Sequence, residues 1–308
     1  METEVTTQTA GSPVHDGQIW TNIGLRVIAS AIDRLGFSLS PGVIAEILRR
    51  NLKLGRRKIS KDIPLGASEF RQPQFDRLQQ LRQQYERLGW PILSVDTKKK
   101  ELIGQFSRSG RSWTDGSLHA FDHDFGSYSS DSKAIPYGVY DSVANEAFVY
   151  LATGADTGEL AADAVRRWWH RMGRTRYADA GGMLLLADCG GSNGYRVPLY
   201  RERLHRVAVT LGIPIRVAHL PPYCSKYNPI DHRLFCHLTR AISGRLVESL
   251  SWMQTLISKV NTRTGLKVVC ELARKVYHSG IKVEQAFKDN EPTQRDSSLS
   301  KFNYVIPC

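Results

Sequence analysis

The chain has 308 residues, of which 41% are hydrophobic and 23% are charged, so it can bury one large core and one smaller domain. Its 42 lysines and arginines against 30 aspartates and glutamates give a net charge of +12, which favours a polyanionic partner such as nucleic acid. A membrane span is not expected, because no apolar run reaches about 18 residues. Five cysteines without a CxxC pair fit reduced cytosolic thiols.

The amino-terminal part predicts a small helical region. Residues 1–18, rich in Thr, Gly and Ser, are expected to form a disordered tail. Apolar residues recur at helical spacing over 19–35, and Ser40 followed by proline opens a second helix. Two short helices fit a helix-turn-helix-like DNA-binding remnant over 19–70, although a generic helical hairpin fits the pattern equally well.

A basic run follows the second predicted helix. Such a run is usually a solvated face, yet beside a recognition helix it can track a phosphate backbone. The candidate DNA-binding residues of this run are Arg49, Arg50, Arg56, Arg57 and Lys58.

The rest of the chain predicts an α/β fold. Residues 71–89 are expected to form a connecting helix, residues 90–290 a catalytic domain, and residues 291–308 a carboxyl-terminal tail. The predicted strands are 91–96, 101–107, 135–140, 146–152, 183–188 and 214–220. The predicted helices are 157–171, 195–211, 230–246, 249–261 and 268–277. Short strands followed by a strand–helix alternation indicate a mixed sheet flanked by helices.

Three aspartates stand at or soon after short apolar runs. Asp96 and Asp188 each end a predicted strand, and Asp231 follows the helix start at Asn228-Pro229. A buried strand that delivers an aspartate at its carboxyl end places the charge at the sheet edge where α/β folds put their sites. Three such carboxylates would repel one another strongly unless divalent cations lay between them. Two Mg²⁺ ions roughly 3.5–4 Å apart are the usual arrangement for displacement at a phosphodiester, so the pattern predicts metal-dependent nucleic-acid chemistry.

Each of these residues also has a purely structural explanation. A strand-end aspartate is more often a cap or a turn former, and Asp231 could simply stabilise the first turn of a helix. Residues 190–194 resemble a phosphate cradle but lack the Gly-Lys-Ser/Thr ending of a P-loop, so a plain tight turn fits equally. Lys98, Lys99 and Lys100 follow the first carboxylate. Only one or two of them can contact one DNA strand, because alternate strand residues point to opposite faces.

Short motifs around these residues occur in one order along the chain. They are Val95-Asp96-Thr97-Lys98-Lys99-Lys100-Glu101, Ile135-Pro136-Tyr137-Gly138-Val139-Tyr140-Asp141, Arg166-Arg167-Trp168-Trp169, Ala187-Asp188-Cys189-Gly190-Gly191-Ser192-Asn193-Gly194-Tyr195-Arg196, His232-Arg233-Leu234-Phe235 and Thr262-Arg263-Thr264-Gly265-Leu266-Lys267-Val268. Together they resemble the ISAzo-type insertion-sequence transposases. Pro221-Pro222-Tyr223 leading to Asn228-Pro229-Ile230-Asp231 also resembles the wider mariner-like group of DDE/D transposases.

The resemblance implies an RNase H-like catalytic core that cleaves DNA and transfers strands. It implies that Asp96, Asp188 and Asp231 are both the catalytic residues and the ligands of two Mg²⁺ ions, for which Mn²⁺ can substitute. Double-stranded DNA, comprising the terminal repeats of an insertion sequence and its target, is the implied partner, with a homodimer as the assembly on DNA. The expected location is the bacterial cytoplasm, in association with the nucleoid.

Two features depart from the family pattern. The third position is Asp231, where ISAzo-type sequences usually have glutamate, although mariner-type enzymes tolerate aspartate. The helix-turn-helix region is also shorter than in the family. A truncated or decayed copy that binds DNA without catalysis is therefore the alternative, and a stand-alone RNase H-like nuclease is a third.

Overall fold

The computed structural model describes residues 9–11, 19–21, 23–56, 69–123 and 133–308. The chain divides into two compact units, Met1–Ile63 and Pro64–Cys308. Two of the predicted DNA-binding residues, Arg57 and Lys58, lie outside the described residues.

Part of the predicted tail is a strand. β1 (Thr9–Gly11) pairs antiparallel with β2 (Ile19–Thr21). The prediction of a disordered segment is therefore wrong for these three residues, and the first helix begins later than residue 19. The reason lies in the composition of β2, because isoleucine, tryptophan and threonine favour an extended strand.

The first unit contains the two expected helices. α1 (Leu25–Asp33) and α2 (Pro41–Arg50) are joined by a short connection, and the side chain of Ser40 accepts a hydrogen bond from the Val43 N–H at 3.3 Å. Ile28, Ile32 and Ile44 are buried between the two helices. The helical hairpin is thus present, while its binding to DNA stays a prediction.

The second unit begins with α3 (Arg71–Leu88), which ends at Gly89 in the left-handed conformation with a φ of 67°. Its buried residues Leu78, Leu81 and Tyr85 pack against the strands that follow. The sequence predicts only that this helix connects two regions. In the structure it also covers one face of the sheet.

Within the described residues of the second unit, nine strands form one mixed sheet. They are β3 (Ile92–Thr97), β4 (Glu101–Leu102), β5 (Lys133–Asp141), β6 (Glu146–Thr153), β7 (Met183–Ala187), β8 (Ile215–His219), β9 (Lys267–Leu272), β10 (Gln294–Arg295) and β11 (Asn303–Ile306). The order across the sheet is β10-β11-β8-β7-β3-β5-β6-β9, with β4 paired to β5. The remaining helices are α4 (Gly158–Trp168), α5 (Arg174–Arg176), α6 (Pro198–Leu211), α7 (Cys236–Ile242), α8 (Leu250–Ser258) and α9 (Gln285–Asp289).

The five central strands define the fold class. β3, β5 and β6 form an antiparallel meander, while β7 and β8 lie parallel to β3 on its other side. This is the RNase H-like order, so the predicted fold class is confirmed. Because β3, β7 and β8 run in the same direction, their carboxyl ends meet at one edge of the sheet, which we call the carboxyl edge.

The predicted helix over 268–277 is wrong. Residues Lys267–Leu272 form β9, which pairs parallel with β6 at the side of the sheet. Val268 and Cys270 are buried while Val269 between them is exposed, and this period of two is that of a half-buried strand. The predicted strand over 101–107 is likewise reduced to Glu101–Leu102.

The predicted carboxyl-terminal tail is part of the sheet. β11 pairs antiparallel with β8, and β10 pairs with β11. Phe302, Tyr304 and Ile306 are buried, so the last residues contribute to the core. Among the described residues, the helices are all too short or too polar to cross a membrane.

Candidate active site

The carboxyl edge brings the three predicted aspartates together. Asp96 lies near the end of β3, and Asp188 directly follows β7. Val95 lies opposite Ala187 in the parallel ladder, so the two aspartates occupy the next position on adjacent strands. Asp231 begins the π-helical turn Asp231–Phe235, which follows the loop after β8. All three side chains are half-buried.

The three carboxylates act on one another electrostatically. Burial raises the pKa of Asp96 to about 7, with further increases from the charges of Asp188, Asp231 and Asp156, opposed by the backbone N–H of Thr97. Burial also raises the pKa of Asp188 to about 6, with Asp231 adding to the increase. Burial raises the pKa of Asp231 as well. Each negative charge therefore makes its neighbours harder to ionise.

The donor set fits divalent cations in charge and chemistry, because carboxylate oxygens are the ligands that Mg²⁺ and Mn²⁺ prefer. None of the three aspartates forms an ion pair with a lysine, arginine or histidine among the described residues. The side-chain positions, by contrast, do not form a complete set of metal ligands. In the part of the chain that the structure describes, no group of three or more His, Cys, Asp or Glu side chains is arranged to hold one metal ion.

A buried amide links the three aspartate-bearing segments. The Nδ2 of Asn228 donates to Oδ1 of Asp188 at 3.0 Å, and its Oδ1 accepts a hydrogen bond from the hydroxyl of Ser94. Ser94 lies in β3, and its Oγ accepts the N–H of Ile230 at 3.1 Å. Since a backbone N–H can only donate, the Ser94 hydroxyl hydrogen is left for Asn228, and this fixes the amide with its NH₂ group towards Asp188. The sequence indicated Asn228 only as a helix start.

A glycine lets the Asp231 turn approach the sheet. Gly138 of β5 lies opposite Asp96 in the antiparallel ladder. A Cβ atom at this position would lie 2.7 Å from Cδ1 of Ile230 and 2.8 Å from Cε1 of Phe235. The missing side chain therefore allows the turn that begins with Asp231 to pack directly beside the first carboxylate.

The carboxyl-terminal strand supports Asp188 through a histidine. His219 is buried, with Nδ1 2.8 Å from the backbone oxygen of Asp188 and Nε2 3.0 Å from the hydroxyl of Tyr304 in β11. Burial lowers the pKa of His219 to about 4, so its imidazole is neutral at pH 7. The carbonyl oxygen only accepts, so Nδ1 carries the hydrogen and Nε2 accepts from Tyr304.

The loop after Asp188 is compact. The buried amide of Asn193 donates to the backbone oxygen of Val95 at 3.3 Å and to the hydroxyl of Tyr137 at 3.4 Å. A Cβ atom at Gly194 would lie 2.7 Å from the backbone oxygen of Cys189. These contacts favour the tight-turn interpretation of residues 190–194 over the phosphate cradle.

The predicted DNA-binding lysines have different surroundings. Lys98 is only 8% exposed and forms an ion pair with Glu101, which argues against a phosphate contact. Lys99 and Lys100 are exposed, and Nζ of Lys100 lies 3.4 Å from the backbone oxygen of Gly154. These two lysines flank the end of β3 and stay candidates for phosphate contacts.

In the first unit, the predicted basic residues are exposed. Arg49 and Arg50 both pair with Glu46, at 2.6 Å and 2.5 Å. Arg56 is exposed. Exposed ion pairs are weak, so these arginines stay accessible to a phosphate backbone.

Comparison with known proteins gives the family. The model described as Rhodopirellula transposase DDE domain matches residues 1–308, so the chain belongs to this family of transposases. The chain matches none of the curated proteins with which it was compared.

Several solved structures are similar to the chain at low identity. The Mos1 transposase paired-end complex with left transposon end is 16% identical, with 80% of this chain and 71% of that chain covered and a TM-score of 0.42. The Mos1 Strand Transfer Complex is 15% identical, with 78% and 71% covered and a TM-score of 0.43. The mariner Mos1 paired end complex with Mg is 15% identical, with 81% and 76% covered and a TM-score of 0.41.

Proposed function

We propose that this transposase cleaves the DNA ends of an insertion sequence and joins them to target DNA at the carboxyl edge. The observation that carries the proposal is the convergence of Asp96, Asp188 and Asp231 at that edge, with raised pKa values for all three. Half-buried carboxylates without a cationic partner destabilise a fold through desolvation and mutual repulsion. Binding of divalent cations would offset this destabilisation and would explain why the cluster is present.

In this proposal, the three carboxylates hold two Mg²⁺ ions, for which Mn²⁺ can substitute. When bound, such ions activate the attacking water or 3′-hydroxyl and stabilise the departing 3′ oxygen. Asn228 keeps the Asp188 carboxylate in one orientation by donating to its Oδ1. Ser94 keeps the amide of Asn228 from rotating, so the site is supported from β3.

The proposed substrate is double-stranded DNA, both as terminal repeats and as target. The net charge of +12 favours binding to a polyanion through the release of counterions. An element with two ends requires both ends to be processed, so we propose that a homodimer acts on paired ends, as closed twofold symmetry favours.

A DNA-binding copy without catalysis is the second candidate function. It is favoured by the observation that, among the described residues, the acidic side chains are not arranged as a metal-binding group. The same fold and the same basic charge serve both candidates, so catalysis alone separates them.

Variants of Asp231 distinguish the two candidates. Asp231→Asn keeps the shape of the side chain but removes its charge, and loss of one preorganised electrostatic contact costs roughly 10²–10³ in rate. Asp231→Glu should keep activity, since the family commonly uses glutamate at this position. The assay is cleavage of duplex DNA that carries the terminal repeats flanking the gene, in Mg²⁺. An active wild type with an equally active Asn variant would exclude Asp231 as a ligand, and an inactive wild type would favour the DNA-binding copy.

A further inference from the structure

Several cationic side chains lie against aromatic rings at the carboxyl edge of the sheet. The guanidinium of Arg196 is 5.1 Å from the ring centre of Tyr195, in the loop that follows Asp188. The ammonium of Lys301 is 4.6 Å from the ring centre of Phe70 and 5.1 Å from that of Phe302. Such contacts hold a long, flexible cationic side chain over a defined spot of the surface.

A second pair of cations shares one tyrosine. The guanidinium of Arg71 lies 5.9 Å from the ring centre of Tyr227, and its Nη2 lies 3.4 Å from the hydroxyl of that tyrosine. The ammonium of Lys226 lies 5.3 Å from the same ring. The Tyr227 side chain is 47% exposed, and it is placed four residues before Asp231. We call the cations Arg71, Arg196, Lys226 and Lys301, together with the rings beneath them, the cation–aromatic band.

The rings make the band continuous. Tyr195 packs against Phe302 with ring centres 5.3 Å apart, and Phe302 lies 6.5 Å from Phe70. Phe70 directly precedes Arg71 in the chain. The band therefore runs from the loop after Asp188, past the start of β11 and α3, to the turn before Asp231.

The band lies beside the carboxylate site. The ring centre of Tyr195 is 6.1 Å from that of His219, and Nδ1 of His219 lies 2.8 Å from the backbone oxygen of Asp188. Tyr227 directly precedes Asn228, whose Nδ2 donates to Oδ1 of Asp188 at 3.0 Å. The rings of the band therefore reach the segments that carry the candidate metal ligands.

Most buried or half-buried arginines nearby are already paired. Arg77 pairs with Asp296 at 2.6 Å, and Arg201 pairs with Glu291 at 2.6 Å. By contrast, Arg71, Arg196 and Lys301 form no ion pair with an acidic side chain among the described residues. Their charges are therefore available to an anion that comes from outside the chain.

We infer that the cation–aromatic band binds the phosphate backbone of the duplex DNA that enters the carboxylate site, an inference that rests on the proposed function. Arginine and lysine are the side chains that contact phosphates, and arginine does so with paired donors. Rings that fix these cations reduce the entropy lost on binding.

The experiment compares two triple variants of the full chain. Arg71→Gln/Arg196→Gln/Lys301→Gln removes three charges of the band. The matched control, Lys259→Gln/Arg263→Gln/Lys267→Gln, removes three exposed charges before and at the start of β9. Because β9 runs parallel to β6, and β6 runs in the direction of β3, the amino end of β9 lies at the opposite edge of the sheet.

The measurement is the affinity for a fluorescein-labelled duplex of about 30 base pairs, titrated between about 50 and 200 mM salt in EDTA so that no cleavage occurs. Each phosphate contact contributes about 0.9 to the slope of log affinity against log salt, so the band variant should have a slope shallower by about 2.7. Its affinity at about 0.1 M salt should fall by roughly a hundredfold or more, while the control variant keeps the wild-type slope.

Circular dichroism establishes that each variant is folded. If the triple variant does not fold, Arg196→Gln/Lys301→Gln replaces it, because both side chains are exposed, and its expected loss of slope is about 1.8. Equal slopes for wild type, band variant and control would overturn the inference and leave the proposed function standing. Equal losses in both triple variants would also overturn it, in favour of diffuse attraction. A wild type without salt-dependent binding would reject the proposed function as well.

Discussion

Two aspartates at strand ends, Asp141 and Asp188, show how the surroundings of a carboxylate separate structure from chemistry. Asp141 ends β5 and receives the N–H groups of Val143 and Ala144, both at 3.0 Å, and the hydroxyl of Tyr177 at 2.6 Å. Asp188 receives one side-chain donor, from Asn228, and has the charges of other carboxylates as neighbours. The first carboxylate is saturated by the protein itself, and the second leaves oxygen atoms for an external cation.

The largest expected difference between these two aspartates is in catalysis. Asp188→Asn should lower the cleavage rate by at least roughly 10²–10³, because a preorganised charge at the reacting centre is lost. Asp141→Asn should leave cleavage per folded molecule unchanged. The Asp141→Asn substitution should lower the free energy of unfolding by about 1–3 kcal/mol. The NH₂ group of asparagine replaces an acceptor oxygen, so at least one donor around it loses its hydrogen-bond acceptor.

Initial cleavage rates, normalised to the folded fraction from urea titrations, provide this comparison. A cleavage defect in the Asp141 variant as large as that in the Asp188 variant would remove the distinction between the two carboxylates.

A smaller effect is expected in the pH dependence of stability. The pKa of Asp96 in the folded protein is about 7, above its ordinary value of 3.8, so the folded state binds the proton more tightly than the unfolded state. The contribution of Asp96 therefore makes the metal-free protein less stable as pH rises from about 4 to about 7. Asp96→Asn removes this contribution, and above pH 7 the variant should exceed the wild type in stability by more than about 1 kcal/mol.

Urea unfolding in EDTA at about pH 5 and about pH 8 measures this difference. Because groups outside the cluster titrate equally in both proteins, the gap between variant and wild type reports the Asp96 carboxylate together with its coupling to Asp188 and Asp231. If the difference in free energy of unfolding between variant and wild type is the same at both pH values, the pKa of Asp96 is not raised in solution.

The sequence predicted those parts of the site that local patterns encode. Asp96 and Asp188 follow apolar runs that had to be buried strands, and parallel strands place their ends together. The proline after Asn228 indicated the turn that carries Asp231. Short-range patterns and sheet geometry therefore indicated candidates, and the resemblance to a transposase family selected Asp96, Asp188 and Asp231 among them.

The parts that the sequence did not predict depend on distant contacts. Ser94 and Asn228 are 134 positions apart, and no local pattern indicates their hydrogen bond. The two valines of β9 favour a strand, but the helix predicted over 268–277 includes them, because the parallel pairing with β6 that makes Lys267–Leu272 a strand is a distant contact. The sequence predicts a tail over 291–308 and not β11, because a strand of four residues is marginal until β8 provides its partner.

A direct binding measurement tests whether the three carboxylates form a site for divalent cations, without any need for catalysis. Titration of the metal-free protein with Mn²⁺, followed by the loss of the free-ion signal in electron paramagnetic resonance, counts the ions bound. We expect about two ions for the wild type and for Asp141→Asn, and fewer for Asp188→Asn, in line with a two-metal site. A wild type that binds no Mn²⁺ at millimolar concentration, or an Asp188 variant that binds as many ions as the wild type, would show that these carboxylates do not form a two-metal site.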